Sequence, residues 1–227
     1  MTSTPKKGEL YVALIGDIRA SRKVERRSQT QMALHAVLEE LNTAYRDSIA
    51  SRFVITLGDE FQGLLSATDH VLDMIQLIQI RMYPIAIRFG IGIGELSTSI
   101  QHYNAMGTDG PAYHLGRSAI EELKANEKRK QARLANILVQ APQCEHSIVQ
   151  LINTALSLMY AIQCTWTSRQ HDVVGRMLER KGTQTEVARQ LGITQATVQK
   201  HLAEAHYYTY RSAQEVLDEA FRRVGGP

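Results

Sequence analysis

Short apolar runs alternate with longer amphipathic stretches up to about residue 140, and beyond that point only helical spacing remains. Leu10 to Ile15 is apolar and stops at Gly16, which predicts a buried strand. From Ser28 to Tyr45 the residues Met32, Leu34, Val37, Leu38, Leu41 and Tyr45 recur at the spacing of one helix face. Arg52 to Leu57 and Phe61 to Leu65 predict two strands. Gly58-Asp59-Glu60 between them predicts a very tight turn with two carboxylates at its tip. Ala67 to Met82 predicts a second helix, with Val71, Leu72, Ile75, Leu77 and Ile78 inward and Pro84 ending it. Ile85 to Ile93 predicts a fourth strand, whose tail alternates Gly with Ile.

Strand, helix, strand, strand, helix, strand is the order of the ferredoxin-like, split βαβ arrangement, an antiparallel sheet with helices on one face. The first strand is then a central neighbour of the hairpin. That brings Asp17, at the end of the first strand, and Asp59, in the turn, to the same edge of the sheet. Two carboxylates so placed suit a hard divalent cation, Mg²⁺ or Mn²⁺, with Glu60 as a further ligand. Backbone N–H groups around Gly16 and Gly58, with Arg19, Arg22 and Lys23 of the basic run that continues to Arg27, suit the phosphates of a nucleotide.

Downstream, Met1 to Glu9 reads as a loose polar arm, and Ser97 to Thr108 as a loop, with a short strand within it as the alternative. Pro111 opens a helix to about Asn126. Lys128, Arg129, Lys130 and Arg133 form a second basic run, and Ile137 to Val139 predicts a last strand broken by Pro142. Ser147 to Cys164 is a long, mostly apolar helix. Ile148, Leu151, Ile152, Leu156, Met159 and Tyr160 predict packing on more than one side, either as a connector between domains or as a helix paired with its copy in a homodimer.

Thr167 can cap a helix over Ser168 to Arg180. The stretch from Gly182 to Leu202 then places Val187, Ala188 and Leu191 inward, turns at Gly192, plugs the gap with Ile193, and caps a second helix with Thr194 whose inward residues are Val198 and Leu202. That is the helix-turn-helix pattern, and a last helix, His206 to Val224, follows. The predicted fold class is therefore α+β: a ferredoxin-like, nucleotide-cyclase-type domain over 1–142, a connecting helix over 143–166, and an all-α helix-turn-helix domain over 167–227.

Composition sharpens this only slightly. The chain has 227 residues, 44% of them hydrophobic, and a formal charge of +3, mildly basic and compatible with nucleic acid. Cys144 and Cys164 have neither zinc nor redox spacing and read as buried free thiols of a reducing compartment. No apolar run approaches a membrane span and no signal peptide opens the chain, so the expected location is cytoplasmic.

Resemblances add chemistry. Trp166-Thr167-Ser168-Arg169-Gln170 and the Glu186-to-Val198 core resemble the DNA-binding unit of sigma-factor region four and of response regulators. The resemblance implies DNA contacts from Gln195, Ala196, Thr197, Gln199 and Lys200, with Arg189 and Lys200 on phosphates. Ile15-Gly16-Asp17-Ile18, Leu57-Gly58-Asp59-Glu60-Phe61 and Arg88-Phe89-Gly90-Ile91-Gly92 resemble the metal motifs and following strand of class III nucleotide cyclases, and more distantly the diguanylate cyclases named for Gly-Gly-Asp-Glu-Phe. This implies a metal-bound nucleotide and places Arg117 on the transition-state arginine. It also exposes departures: the base-selecting Lys position is Ile55, and the catalytic Asn position is Tyr113 or His114. Across most of its length the chain is similar to the bacterial SatD family, on the hairpin Thr56 to Leu65, Tyr83-Pro84 and Asp109-Gly110-Pro111-Ala112-Tyr113. That family's name refers to secretion and acid tolerance.

The sequence reading is thus a DNA-binding regulator whose cyclase-like domain binds a divalent metal and a nucleotide. The alternatives are an active nucleotidyl cyclase or nucleotidyltransferase, and a non-catalytic interaction protein.

Overall fold

All eight residues of Tyr11–Ile18 (β2) are buried, and the rest of the sheet is laid out from this strand. In this computed structural model residues 2–5, 8–19, 27–129, 134–180 and 182–224 are described; Arg22, Lys23, Arg26, Lys130 and Arg133 of the basic runs, and the side chain of Arg27, lie outside them. On one side β2 pairs antiparallel with Glu60–Leu65 (β4), which pairs in turn with Ile49–Leu57 (β3). On the other it pairs antiparallel with Ile87–Gly94 (β5), and Ile137–Gln140 (β7) closes the sheet. The order is β3-β4-β2-β5-β7. The sheet is mixed, not purely antiparallel, because β7 returns through a long helical crossover and runs parallel to β5.

The helices occupy both faces, a difference from the one-sided layer expected from the pattern. Arg27–Ala44 (α1) and Val71–Met82 (α2) pack on one face, over Val12, Leu14, Phe61, Phe89, Ile91 and Ile93. Pro111–Glu127 (α3) takes the other, over Ala13 and Ile15. The alternation of Gly with Ile in β5 is the cause. Its isoleucines point to α1 and α2, while a Cβ on Gly90 or Gly92 would overlap the carbonyl oxygens of Gly116 and Ala112 in α3. Glycine lets the helix backbone rest directly on the strand backbone.

Two short strands amend the expected loops. Thr2–Ser3 (β1) pairs antiparallel with Ile100–Gln101 (β6), so the N-terminal arm is tied to the 97–108 connection. Met32, placed on the inward stripe of α1 by its spacing, stands in solvent; Leu34, Val37, Leu38 and Leu41 form the buried stripe.

His146–Gln163 (α4) lies against β7 and the last helix. Its buried Asn153 completes the edge of β7 with its amide. The amide oxygen accepts from the Val139 N–H at 2.8 Å and the amide nitrogen donates to the Val139 C=O at 2.9 Å. Helix α4 thus packs on more than one side, as its composition suggested, and Leu151 and Leu158 are exposed on the remaining face. Ser168–Arg180 (α5), Gln184–Leu191 (α6), Gln195–Glu204 (α7) and Tyr207–Val224 (α8) complete the chain. Thr167 caps α5 reciprocally with Gln170: Gln170 N–H donates to the Thr167 hydroxyl and Thr167 N–H to the Gln170 side chain.

Val173, Val187, Val198, Leu202, Tyr207, Leu217 and Phe221 join one core with the residues under α1 and α2. Arg81 ties α1, α2 and α5 together by pairing with Glu40 and Glu179. Cys144 is half-buried and donates to the Val224 C=O at 3.2 Å; Cys164, beyond the last turn of α4, is exposed, not buried.

Gly92→Ala should cost about 3 kcal/mol, because the new methyl group meets a helix carbonyl that cannot swing away. Gly94→Ala, where the closest atom is 3.1 Å distant, should cost about 1 kcal/mol or less. Urea unfolding of the two variants checks the ranking.

Candidate functional site

The hairpin at Gly58 is as tight as its sequence suggests. Leu57 pairs with Glu60, leaving Gly58 and Asp59 as a two-residue loop. Gly58 has φ +62° and Asp59 does not share the left-handed region, the sign pattern of a II′ hairpin with glycine first. Glu60 is therefore the first strand residue, not part of the tip. The turn is anchored by its own backbone: Ile18 N–H donates to the Asp59 C=O at 3.0 Å, and the Gln31 side chain donates to the Gly58 C=O at 2.7 Å. Asp59 is thus held against the end of β2, next to Asp17.

Strand alternation puts Asp17 on the α3 face, with Glu60 opposite it on β4 and Arg88 opposite it on β5. Asp17 is buried, and both its oxygens are engaged: Arg88 holds Oδ2, and Lys124 Nζ lies 3.4 Å from Oδ1. Arg88 also makes a fork-to-fork pair with Glu127, at 2.8 and 2.6 Å. Glu127 receives Arg19 Nε at 3.1 Å, and Arg19 in turn donates to the Tyr160 hydroxyl at 2.8 Å. A continuous run of charge-assisted contacts therefore leads from Asp17 through Arg88, Glu127 and Arg19 to α4.

Glu60 is the carboxylate least compensated in this cluster. Burial pushes its pKa up, Asp17 and Asp59 push it the same way, and Lys124 and Arg117 act against them. Arg117 lies over the Tyr113 ring at 6.0 Å and 3.9 Å from Asp109. It acts on Glu60 within the same chain. Tyr113, at the position where the resemblance would have an asparagine, is fully buried with its hydroxyl unpartnered among the described residues, and His114 is exposed. Gly16 is in register with Phe61 and Phe89, and the Phe61 ring occupies the space a side chain would need. The structure thus gives Gly16 a packing role. Among the described residues no three His, Cys, Asp or Glu side chains are grouped as metal ligands.

The sequence pattern places Arg88 in the strand after the hairpin but gives it no partner, and it singles out neither Lys124 nor Glu127. Strand alternation places Arg88 beside Asp17. The other two needed knowledge that α3 crosses the glycines of β5.

The second set of residues lies on α6 and α7. Thr183 forms a capping box with Glu186 at the start of α6. Gly192, at φ +64°, ends that helix in the left-handed conformation, and Thr194 caps α7 by accepting from Thr197 N–H. Val187, Ala188, Val198 and Leu202 are buried, and Leu191 and Ile193 are half-buried between them. Arg189, Gln195, Ala196, Gln199 and Lys200 are exposed. Thr197 is half-buried, with its hydroxyl 2.8 Å from that of Thr194. Gln195 donates to Gln184 at 2.7 Å, and Gln184 to the Tyr208 hydroxyl at 2.8 Å, which braces the start of α7.

The family model for SatD matches residues 11–218. This chain belongs to the SatD family. The match runs from β2 into α8, so both charged cluster and α6–α7 pair fall inside the family's span. No curated protein matches the chain. Among solved structures, the crystal structure of a regulator of polyketide synthase expression from Bifidobacterium adolescentis is similar at 13% identity, covering 97% of this chain and 88% of that one, with a TM-score of 0.28. No helix among the described residues is long and apolar enough to cross a membrane.

Glu60 gives a pH test. Its folded pKa lies above the ordinary glutamate value, so the folded chain binds that proton more tightly than the unfolded one. The associated stability is present below the unfolded pKa and is lost as pH rises through the folded value. Glu60→Gln should match wild type at about pH 4 and exceed it in Tm at about pH 8. Thermal unfolding across that range measures the crossover.

Proposed function

We propose that this SatD-family protein is a DNA-binding regulator in which the sheet domain binds a nucleotide and sets the state of a helix-turn-helix. The observation that carries this reading is the α6–α7 pair: capped at both starts, turned on a left-handed glycine, sealed by Val187, Ala188, Val198 and Leu202, and presenting exposed Arg189, Gln195, Gln199 and Lys200. Exposed amides at the start of a second helix suit base edges in the major groove, and Arg189 and Lys200 suit phosphates. Lys200 lies 3.9 Å from Glu204, a surface pair that DNA phosphates can displace. Thr197 contributes through its methyl group and backbone, since its hydroxyl serves the cap.

The strand order supports a ferredoxin-like, cyclase-type origin for the sheet domain: the strand after the hairpin and the first strand sit side by side, with Asp17 and the Gly58-Asp59 turn at one end. A divalent ion, Mg²⁺ or Mn²⁺, fits this donor set only if Lys124 releases Asp17, because both oxygens are already held by cations. Asp59 and Glu60 are the carboxylates at the turn that would hold it, with phosphates as further ligands. Lys124, Arg19 and Arg117 are the cations within this network that would meet a nucleotide's negative charge. Ile55 and the buried Tyr113 stand where a cyclase has its base-selecting and catalytic side chains, which favours ligand sensing over turnover. The uncharged run of α4 from Ser147 to Gln163, with Leu151 and Leu158 exposed, supports pairing of two copies, as expected of a reader of paired half-sites.

Two measurements test the parts separately. On a duplex of about 30 base pairs, log K for wild type should fall linearly with log salt, and Lys200→Ala or Arg189→Ala should each reduce the slope by about 1. Salt-insensitive or absent binding would count against the DNA reader. In calorimetric titrations with ATP and GTP plus Mg²⁺, wild type should bind and Asp59→Ala should lose about tenfold or more in affinity. Equal binding by both proteins would remove Asp59 from the site.

A further inference from the structure

A cavity of about 580 Å³ opens where the Tyr83-Pro84 corner and the start of β5 face the end of α4, Trp166 and α5. It lies apart from the α3 face that carries Asp17 and Glu60. Its walls are of two kinds. Aromatic rings supply flat apolar faces: Tyr83 stacks on His171 at 4.1 Å, and Trp166 packs against His171 and Tyr210, both at 5.2 Å. Amides supply the polar groups: Gln76, Gln79, Asn136 and Gln163 all line the space. Of the charged residues on the lining, Arg81 is paired with Glu40 and Glu179, Asp172 lies 4.0 Å from Arg169, and Arg176 donates to Gln190 at 3.3 Å.

The inner end is chemically incomplete. A recess of about 20 Å³ shares Gln76, Gln79, Asn136, Tyr160, Gln163 and Tyr210 with the larger cavity and adds Gln214. There the Oε1 of Gln76 and the Nε2 of Gln214 are buried without a hydrogen-bond partner among the described residues. Native interiors rarely leave such groups unmet. One lacks a donor and the other an acceptor.

We propose that this cavity binds a small planar heteroaromatic molecule carrying a hydrogen-bond donor on one edge, such as a nucleobase or an aromatic carboxamide. The cluster of rings supplies an apolar wall for it, and the unpartnered Oε1 of Gln76, which lines both spaces, accepts from its donor. The volume is in the range of small-molecule sites, which favour junctions between domains. Occupancy is felt in two directions. Tyr160 on the wall accepts from Arg19 and so connects to the Asp17 network, while Trp166 donates to the Ala205 C=O at the end of α7.

Trp166 is the chain's single tryptophan and lines the cavity, so its emission reports binding directly. Full-length protein is titrated with adenine, guanine, uracil and nicotinamide, following Trp166 emission and thermal shift. At least one probe should give a saturable change, and Gln76→Leu and Gln163→Ala should each weaken it about tenfold. Gln76→Leu removes an unpaired buried acceptor, so its Tm should equal or exceed wild type, separating lost binding from lost folding. A response to bases alone assigns the nucleobase source, and a response to nicotinamide alone assigns the carboxamide; either supports the site. Met32→Ala, at an exposed position of α1 outside the lining, should bind the probe as wild type does. Silence from all four probes up to millimolar concentration, unchanged affinity in both glutamine variants, or a loss in Met32→Ala as large as in Gln76→Leu would overturn the proposal.

Discussion

The seating of α3 on the glycines of β5 is the contact from which the rest of the sheet domain takes its shape. Gly90 and Gly92 bring the helix backbone onto the strand backbone, and that depth decides where the end of the helix falls. Lys124 and Glu127, on the last turns of α3, then hang over the end of β2. Asp17 can be buried there because α3 delivers one cation and β5 another. A buried carboxylate with a single missing partner is costly, so the helix, the strand and the acid are mutually dependent.

Much of this architecture can be read in the chain without coordinates. Strand and helix positions follow from period, the Gly58-Asp59 loop from its flanking apolar runs, and the caps at Thr167 and Thr194 from local side-chain chemistry. These are short-range effects, and short-range pattern carries them. What escaped are long-range pairings. Arg19 meets Tyr160 across 141 positions and Arg88 meets Asp17 across 71, and neither spacing has a periodic signature. Likewise the Gly-Ile alternation in β5 announces a two-faced strand, but not which element covers the glycine face. Met32 shows the converse: an apolar residue at a plausible inward position of a helix stands exposed, because spacing alone does not say how wide the covered face is.

The two regions that carry the functional reading are physically connected. Asp17, Arg88, Glu127, Arg19 and Tyr160 form one chain of polar contacts from the sheet end to α4. Trp166, just beyond α4, reaches the C-terminal end of α7 through its indole N–H. These contacts link the Asp17 cluster to α4, and Trp166 to the end of α7. Coupling of this kind requires two arrangements of the connecting element with different ligand affinities, and the α4–Trp166 junction is where such a pair would differ.

Asn153 has one more consequence. A sheet with an open border can recruit a strand from another molecule, the usual route to uncontrolled polymer. Here the amide of Asn153 occupies the backbone groups of Val139 on one border. On the other, the segment around His102 covers β3, with Arg52 N–H donating to the His102 C=O at 3.1 Å and the His102 ring 2.9 Å from the Ala50 C=O. Each border is thus partly occupied by groups of its own chain, which leaves a shorter row of backbone N–H and C=O groups for a strand from another molecule to pair with.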